Sequence, residues 1–283
     1  MLLALGLLLL MSACSTIRFT YDHGDTLLYW WLNAYLDIDS DQKAWVKRDI
    51  DAFFDWHRKT QLPDYVNILR TAQKQLAGNP TQQDLLGDYK KIRDETRELM
   101  VKSLPDLVDL ARSVKPEQIE RMEKKFEKNN ADYRKKFMSG SFDHRKEVRY
   151  DKAMEQFKLW FGSFSREQEA QIRRLSDARP LDNDIWLDER MRRQKRIIEV
   201  VRKIQAEKLS KEAATPLVAG LIKDTVDRFD QPDRKAFFDG YVDTTSKFIL
   251  AVIQLTTPEQ RAHAQDRMQG WINDLNTLAA EGR

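Results

Sequence analysis

Leu27-Leu28-Tyr29-Trp30-Trp31-Leu32-Asn33-Ala34-Tyr35-Leu36 decides the fold class by its spacing. Leu27, Trp30, Trp31, Ala34 and Tyr35 recur at the i, i+3, i+4, i+7, i+8 positions of one helical face, and Leu28, Leu32 and Leu36 cover a second. The pattern predicts a helix over about Thr26 to Ile38. A helix apolar around so much of its circumference is buried among other helices or rests against lipid. It has no basic face, so burial is the expectation.

Reading outward, the same helical grammar recurs. Asp39-Ser40-Asp41-Gln42 opens a second helix reaching about Lys59, with Trp45, Ile50, Phe53 and Phe54 inward; Leu62-Pro63 is expected to break it and start a third. Asn79-Pro80 opens a stripe of Leu85, Leu86, Tyr89, Ile92, Leu99 and Met100 that runs to a break near Pro105. Lys115-Pro116-Glu117-Gln118 and Ser165-Arg166-Glu167-Gln168 open further helices, with stops at Ser139-Gly140-Ser141 and Gly162. A charged segment from Trp186 to Leu209 keeps Ile197, Ile198, Val201 and Ile204 on one side. The last starts are expected near Thr215-Pro216, near Gln231-Pro232 and at Thr257-Pro258-Glu259-Gln260. No alternating strand, Asn-Gly hairpin turn or Gly-rich loop interrupts them. The expectation is all-α, a multi-helix bundle of about nine to eleven helices with no sheet.

Composition agrees. Of 283 residues, 41% are hydrophobic, enough for a core, and 10 Gly with 8 Pro are too few for the turns of a sandwich or barrel. The 48 Lys and Arg exceed the 45 Asp and Glu by only 3, and no tail or face collects the cations. A nucleic-acid partner is therefore not expected.

The N-terminus points to a compartment. Leu2 to Met11 form an apolar run of about ten residues, against the roughly 20 that a membrane-spanning helix needs. It reads as a signal-peptide core, and Met11-Ser12-Ala13-Cys14 after it resembles a bacterial lipoprotein signal box. Small residues admit the peptidase and the thiol carries the diacylglyceryl group. Residues 1–13 would leave, and Cys14 would become the lipidated N-terminus. Met11 stands where Leu is usual, and no Lys or Arg precedes the apolar run, which points to a start codon upstream. Cys14 is the only cysteine, so no intrachain disulfide can form. With Ser15 in the second mature position, the lipoprotein class implies the outer membrane over the inner, facing the periplasm. Residues 14–24 read as a tether and 25–283 as the helical domain, with a subdivision into two sub-bundles near 139–142.

Gln42, Gln118, Gln168 and Gln260 each fall near the third position of a helix, where an amide bonds back to the cap N–H. Their uneven spacing excludes a solenoid. This short hydrophobic-Ser/Thr-x-x-Gln pattern resembles that of the periplasmic helical chaperone and stress-sensor family of Spy and CpxP, with Phe164-Ser165-Arg166-Glu167-Gln168 the best copy. More of the chain resembles a proteobacterial family of helical lipoproteins of unknown function. The residues that carry this are the box at Cys14, Tyr29-Trp30-Trp31-Leu32 before Asp39-Ser40-Asp41-Gln42, the segment Trp56-His57-Arg58-Lys59-Thr60-Gln61-Leu62-Pro63-Asp64-Tyr65, and Pro116-Glu117-Gln118-Ile119-Glu120. The resemblance implies a helical fold and a lipid anchor, and no activity.

Catalytic signatures are missing. His23, His57, His144 and His263 lack the i, i+3 or i, i+4 pairing of metal ligands, and no nucleophile elbow, phosphate loop or dinucleotide fingerprint occurs. No metal, cofactor or enzymatic turnover is expected. One cluster is a candidate site: Trp56, His57 and Arg58 beside Asp55, with Tyr65. It reads either as a pocket in which Trp56 and Tyr65 stack on a ligand held by Arg58, or as a structural knot. Arg190, Arg192, Arg193, Lys195 and Arg196 form the densest basic stretch, suited to anionic head groups. The leading expectation is a lipid-anchored periplasmic protein that binds an envelope protein, peptide or glycan. The alternatives are a Spy/CpxP-like chaperone or stress sensor, and a hydrolase with paired carboxylates.

Overall fold

The computed structural model describes residues 16–281 apart from 181 and 228. Among them are twelve helices and no strand: α1 (Thr16–Asp22), α2 (Gly24–Leu36), α3 (Ser40–Ala77), α4 (Gln82–Lys102), α5 (Leu104–Ser113), α6 (Pro116–Phe137), α7 (Phe142–Phe161), α8 (Arg166–Asp177), α9 (Asn183–Ala206), α10 (Lys211–Val226), α11 (Lys235–Leu255) and α12 (Pro258–Glu281). The fold is the expected all-helical bundle with more helices than expected. None of those described is long and apolar enough to cross a membrane.

The chain divides into two compact units. The first contains residues up to 34, 38–79 and those from 264 onward; the second contains 35–37 and 80–263. The expected junction near 139–142 lies inside the second unit, in the turn between α6 and α7.

In the first unit, Leu62 and Val66 of α3 pack with Ile272, Leu275 and Leu278 of α12, and Ile17, Tyr21, Tyr65 and Leu69 close around them. Two sequence expectations are corrected here. The segment read as a tether contains α1, because Ile17 and Tyr21, one turn apart, reach that core. Arg18 also pairs with Glu281 at 2.9 Å. The expected break at Leu62-Pro63 does not occur, and α3 runs continuously through Pro63. A proline inside a helix costs ~3 kcal/mol. Leu62 and Val66, both buried, flank the exposed Pro63, and their burial at about 1.5–3 kcal/mol each offsets that cost.

α3 starts on Asp39, whose Oδ1 accepts from the backbone N–H groups of Asp41 at 2.9 Å and Gln42 at 3.0 Å. α2 is less buried than its pattern suggests. Leu36 is buried, but Trp30 is 63% exposed and Trp31 57%, so the expectation that this helix is enclosed by a core is corrected. Its apolar circumference exceeds the surface that the unit offers it.

In the second unit, α5 packs on α10, α9 on α6 and α10, α4 on α10 and α11, and α8 on α7 and α11. Val108, Ile172, Ile204, Phe238 and Val252 are among its most enclosed side chains. Three start sites differ from expectation: α4 begins at Gln82 with Thr81 as its cap, two residues after the expected Asn79-Pro80. α10 begins at Lys211, where the Ser210 hydroxyl accepts from Ala213 N–H, and it carries Pro216 in its interior. α11 begins at Lys235, after a turn in which Arg234 N–H donates to the Gln231 carbonyl. At α10 the Ser210 cap takes the start that the proline was expected to mark, whereas α11 starts without a side-chain cap bond.

Candidate functional site

Trp56, His57 and Arg58 are consecutive on α3, Tyr65 follows about two turns on, and His57 and Arg58 meet Tyr21 of α1. The Tyr21 hydroxyl and Nδ1 of His57 are 2.9 Å apart. The His57 ring is packed among Tyr21, Phe53, Phe54 and Tyr65, with ring centroids 5.5–6.5 Å away. The Arg58 guanidinium lies 5.2 Å from the centre of the Tyr21 ring, and Trp56 tilts against Phe53. Burial holds His57 down to about 4 and pushes Tyr21 up to about 12, so both are neutral at pH 7. These side chains fill the α1–α3 contact with one another. The geometry is that of a knot.

The chain passes tightly there as well. A Cβ on Gly24, the first residue of α2, would lie 2.6 Å from a Phe54 ring carbon.

The four glutamines cap helices. Gln42 Oε1 accepts from Asp39 N–H, Gln118 Oε1 from Lys115 N–H, Gln168 Oε1 from Ser165 N–H and Gln260 Oε1 from Thr257 N–H, at 2.8–3.2 Å. The Lys115 ammonium cannot accept a bond in return, so that start has only half of a capping box. Their second function was not visible in the sequence. Gln118 Nε2 donates to the Asp37 carbonyl, and Gln168 Nε2 to the Leu255 carbonyl and Gln260 Oε1. Each of these amides ties a helix start to a distant segment.

The basic stretch of α9 is largely neutralised. Arg192 and Arg193 face the buried Glu189, Arg190 donates to Asn130, and Lys195 and Arg196 lie near Glu199. A groove of about 530 Å³ between α6 and α9 carries both signs of charge, with Arg202 paired to Glu123 at 2.7 Å across it. Charges that satisfy each other leave little for a ligand to claim.

A cavity of about 520 Å³ has a different character. It lies among α6, α7, α9 and α11 and the loop after α8. Its walls include Phe137, Phe157, Trp186, Phe237, Tyr241 and Phe248. Trp186 packs edge-on against Tyr241 at 4.9 Å and Phe238 at 5.2 Å, a contact that fixes the wall. Arg145, Arg149 and Arg179 are partly buried cations of the same cavity, Arg145 donating to the Met138 carbonyl at 3.3 Å.

Arg149 donates to the carbonyls of Ser176, Arg179 and Pro180 at 2.6, 3.0 and 2.8 Å, closing the C-terminal end of α8. Arg179 lies 4.8 Å from the centre of the Phe248 ring and donates to the Thr245 hydroxyl at 2.8 Å. Neither forms an ion pair with a carboxylate among the described residues. Burial lowers both guanidinium groups from their ordinary range, and the charge of Arg179 lowers Arg149 further. Both remain protonated. The Nε–H of each is buried without an acceptor. Asp182, also on the cavity wall, uses its carboxylate to cap α9 through Asp184 and Ile185 N–H.

Sequence reasoning did not find this site. Arg149 and Arg179 are thirty residues apart with no motif around them, and only the α7–α8 packing brings them together. Cys14 lies outside the described residues. Among those described, no three His, Cys, Asp or Glu side chains converge on a possible metal position.

No curated protein and no solved structure matches the chain. A family model does, over residues 34–215, which include both arginines of the cavity but not its α11 wall. The chain belongs to the family of unknown function DUF6279.

Proposed function

We propose that this protein is held at the cell envelope by lipid on Cys14, on the outer membrane facing the periplasm, and that it binds an envelope component without turnover. The observation that carries the attachment is the exposed apolar surface immediately after Cys14. Phe19 is 64% exposed, Leu27 46%, and Trp30 and Trp31 still more than half. Indole and phenyl rings favour the membrane interface, where the apolar ring meets acyl chains and a polar edge stays wet. The two chains of a diacylglyceryl group already anchor stably, and an apolar contact beside the lipidated cysteine adds buried surface to that attachment. The unpaired guanidinium groups in an aromatic cavity support binding as the task.

The test is metabolic labelling of the full chain with palmitate, followed by membrane fractionation. Label is expected on the wild-type protein and absent from Cys14→Ser, which should leave the membrane fraction. Label that never appears, or that persists in Cys14→Ser, would sink the anchoring claim. Trp30→Ala/Trp31→Ala is expected to stay lipidated and in the membrane fraction but to be extracted at a lower detergent concentration than the wild type.

A further inference from the structure

The cavity among α6, α7, α9 and α11 combines a mostly aromatic wall with the guanidinium groups of Arg149 and Arg179, which form no ion pair with a carboxylate among the described residues. Two like charges in a low-dielectric site repel and are held there at a cost unless an anion joins them. The nearby carboxylates make no ion pair with either guanidinium among the described residues. Asp177, the carboxylate that acts on Arg149 through its charge, is engaged with Arg173 at 3.1 Å. Asp182 is committed to the start of α9. Lys152, a further cation on the wall, is paired with Glu155.

We propose that this cavity binds a small amphipathic carboxylate, with an aromatic or acyl body against Trp186, Phe237 and Phe248 and its anionic group beside Arg179 and Arg149. The volume of about 520 Å³ lies within the roughly 300–1,000 Å³ typical of small-molecule sites, which is too small for a whole phospholipid. Arg179 is the principal anion-holding group. Phe248 beneath it and the Thr245 hydroxyl beside it fix its plane, so the fork is presented without loss of side-chain entropy on binding. Arg149 contributes mainly charge, because both of its terminal nitrogens already donate to carbonyls at the end of α8. The inference rests on the reading of this chain as a binding protein and names the chemistry of what it binds; it does not depend on lipid at Cys14.

The full chain is titrated with the fluorescent anion anilinonaphthalenesulfonate and, separately, with its neutral relative phenylnaphthylamine. Octanoate and indoleacetate then compete, with octanol and indole as neutral counterparts. Saturable binding at one site is expected, with the carboxylates displacing the anionic probe about ten-fold better than the neutral compounds. Which carboxylate competes better assigns the body as acyl or aromatic. Arg179→Met is expected to weaken the anionic probe by about ten-fold while phenylnaphthylamine binding stays within about two-fold, which also reports that the cavity is intact. Equal displacement by octanol and octanoate, or no saturable binding, overturns the proposal in the wild type alone, whether or not the variant folds. Binding that fails here while palmitate labels Cys14 rejects the cavity ligand and leaves the anchor standing.

Discussion

Gln168 and Gln260 hold each other by their side-chain amides: Gln168 Nε2 donates to Gln260 Oε1 at 2.9 Å, and Gln260 Nε2 donates to Gln168 Oε1 at 3.2 Å. Each oxygen simultaneously caps its own helix start, and each Nε2 also donates to a carbonyl beside the other start, Leu255 for Gln168 and Ser163 for Gln260. Two helix N-termini are thereby joined through one polar exchange.

Replacing either glutamine leaves the other's amide short of a bond at an enclosed site, Gln260 being buried and Gln168 partly buried. Gln168→Ala and Gln260→Ala are each expected to cost about 1–3 kcal/mol in urea denaturation. Because the two share one network, the double variant should lose less than the sum by about 0.5 kcal/mol or more. Strict additivity would mean that the exchange contributes nothing beyond the two caps.

His57 makes stability depend on pH. Its folded pKa, about 4, is below the ordinary 6.5, because burial beside Tyr21, Phe53, Phe54 and Tyr65 penalises the imidazolium. The unfolded chain therefore binds a proton first as the pH falls. Stability attributable to this group is full above pH 6.5 and declines as the pH drops through the window towards 4. After allowance for the solvent that His57 retains, the loss is on the order of 2 kcal/mol. His57→Phe should lack this component: the difference in unfolding free energy between wild type and variant should shrink between pH 7.5 and pH 4.5. A constant difference across that range would show that His57 titrates normally.

What was legible in the sequence was local. Asp39, Ser165 and Thr257 mark helix starts because their side chains bond within three residues, and Gly162 marks a stop because it takes a positive φ while its backbone N–H donates to the Lys158 carbonyl. Pro63 and Pro216 misled because tertiary burial outweighed a local cost. Ile17 and Tyr21 looked like part of a tether because their partners, Ile272 to Leu278, lie at the other end of the chain. Trp56 to Tyr65 stands out in the sequence as a concentration of amphipathic groups, but the Tyr21–His57 contact required α1. Arg149 and Arg179 resembled any surface arginine until packing placed them beside Trp186 and Phe248.

Gly162 ends α7 with φ +75° and ψ −148°, a region that residues with a Cβ rarely enter. A Cβ there would meet the His263 ring at 3.9 Å, an ordinary contact, so the cost of Gly162→Ala is one of backbone conformation alone. It is expected to be about 1–3 kcal/mol, read as a lower urea midpoint with an unchanged slope. Gly87, inside α4 with open space around it, is the control: Gly87→Ala should stabilise by roughly 0.5–1 kcal/mol. Equal effects at the two positions would remove the conformational argument.

Glu189 tests how far the basic stretch of α9 depends on one acid. It is only 1% exposed, with Arg192 donating to both of its oxygens at 2.9 and 3.0 Å and Arg193 Nε at 3.3 Å. Removing it leaves two partly buried guanidinium groups with their main counter-charge gone, although Asp224 remains 3.7 Å from Arg192. Glu189→Ala is expected to cost about 3–5 kcal/mol, among the largest single effects in the chain. The penalty comes mainly from stranded charge, so Glu189→Met/Arg192→Met, which removes acid and base together and refills the space, should recover a substantial part of it. If the double variant is no more stable than Glu189→Ala, the cost lies in packing, and the ion pair is not what holds this turn of α9.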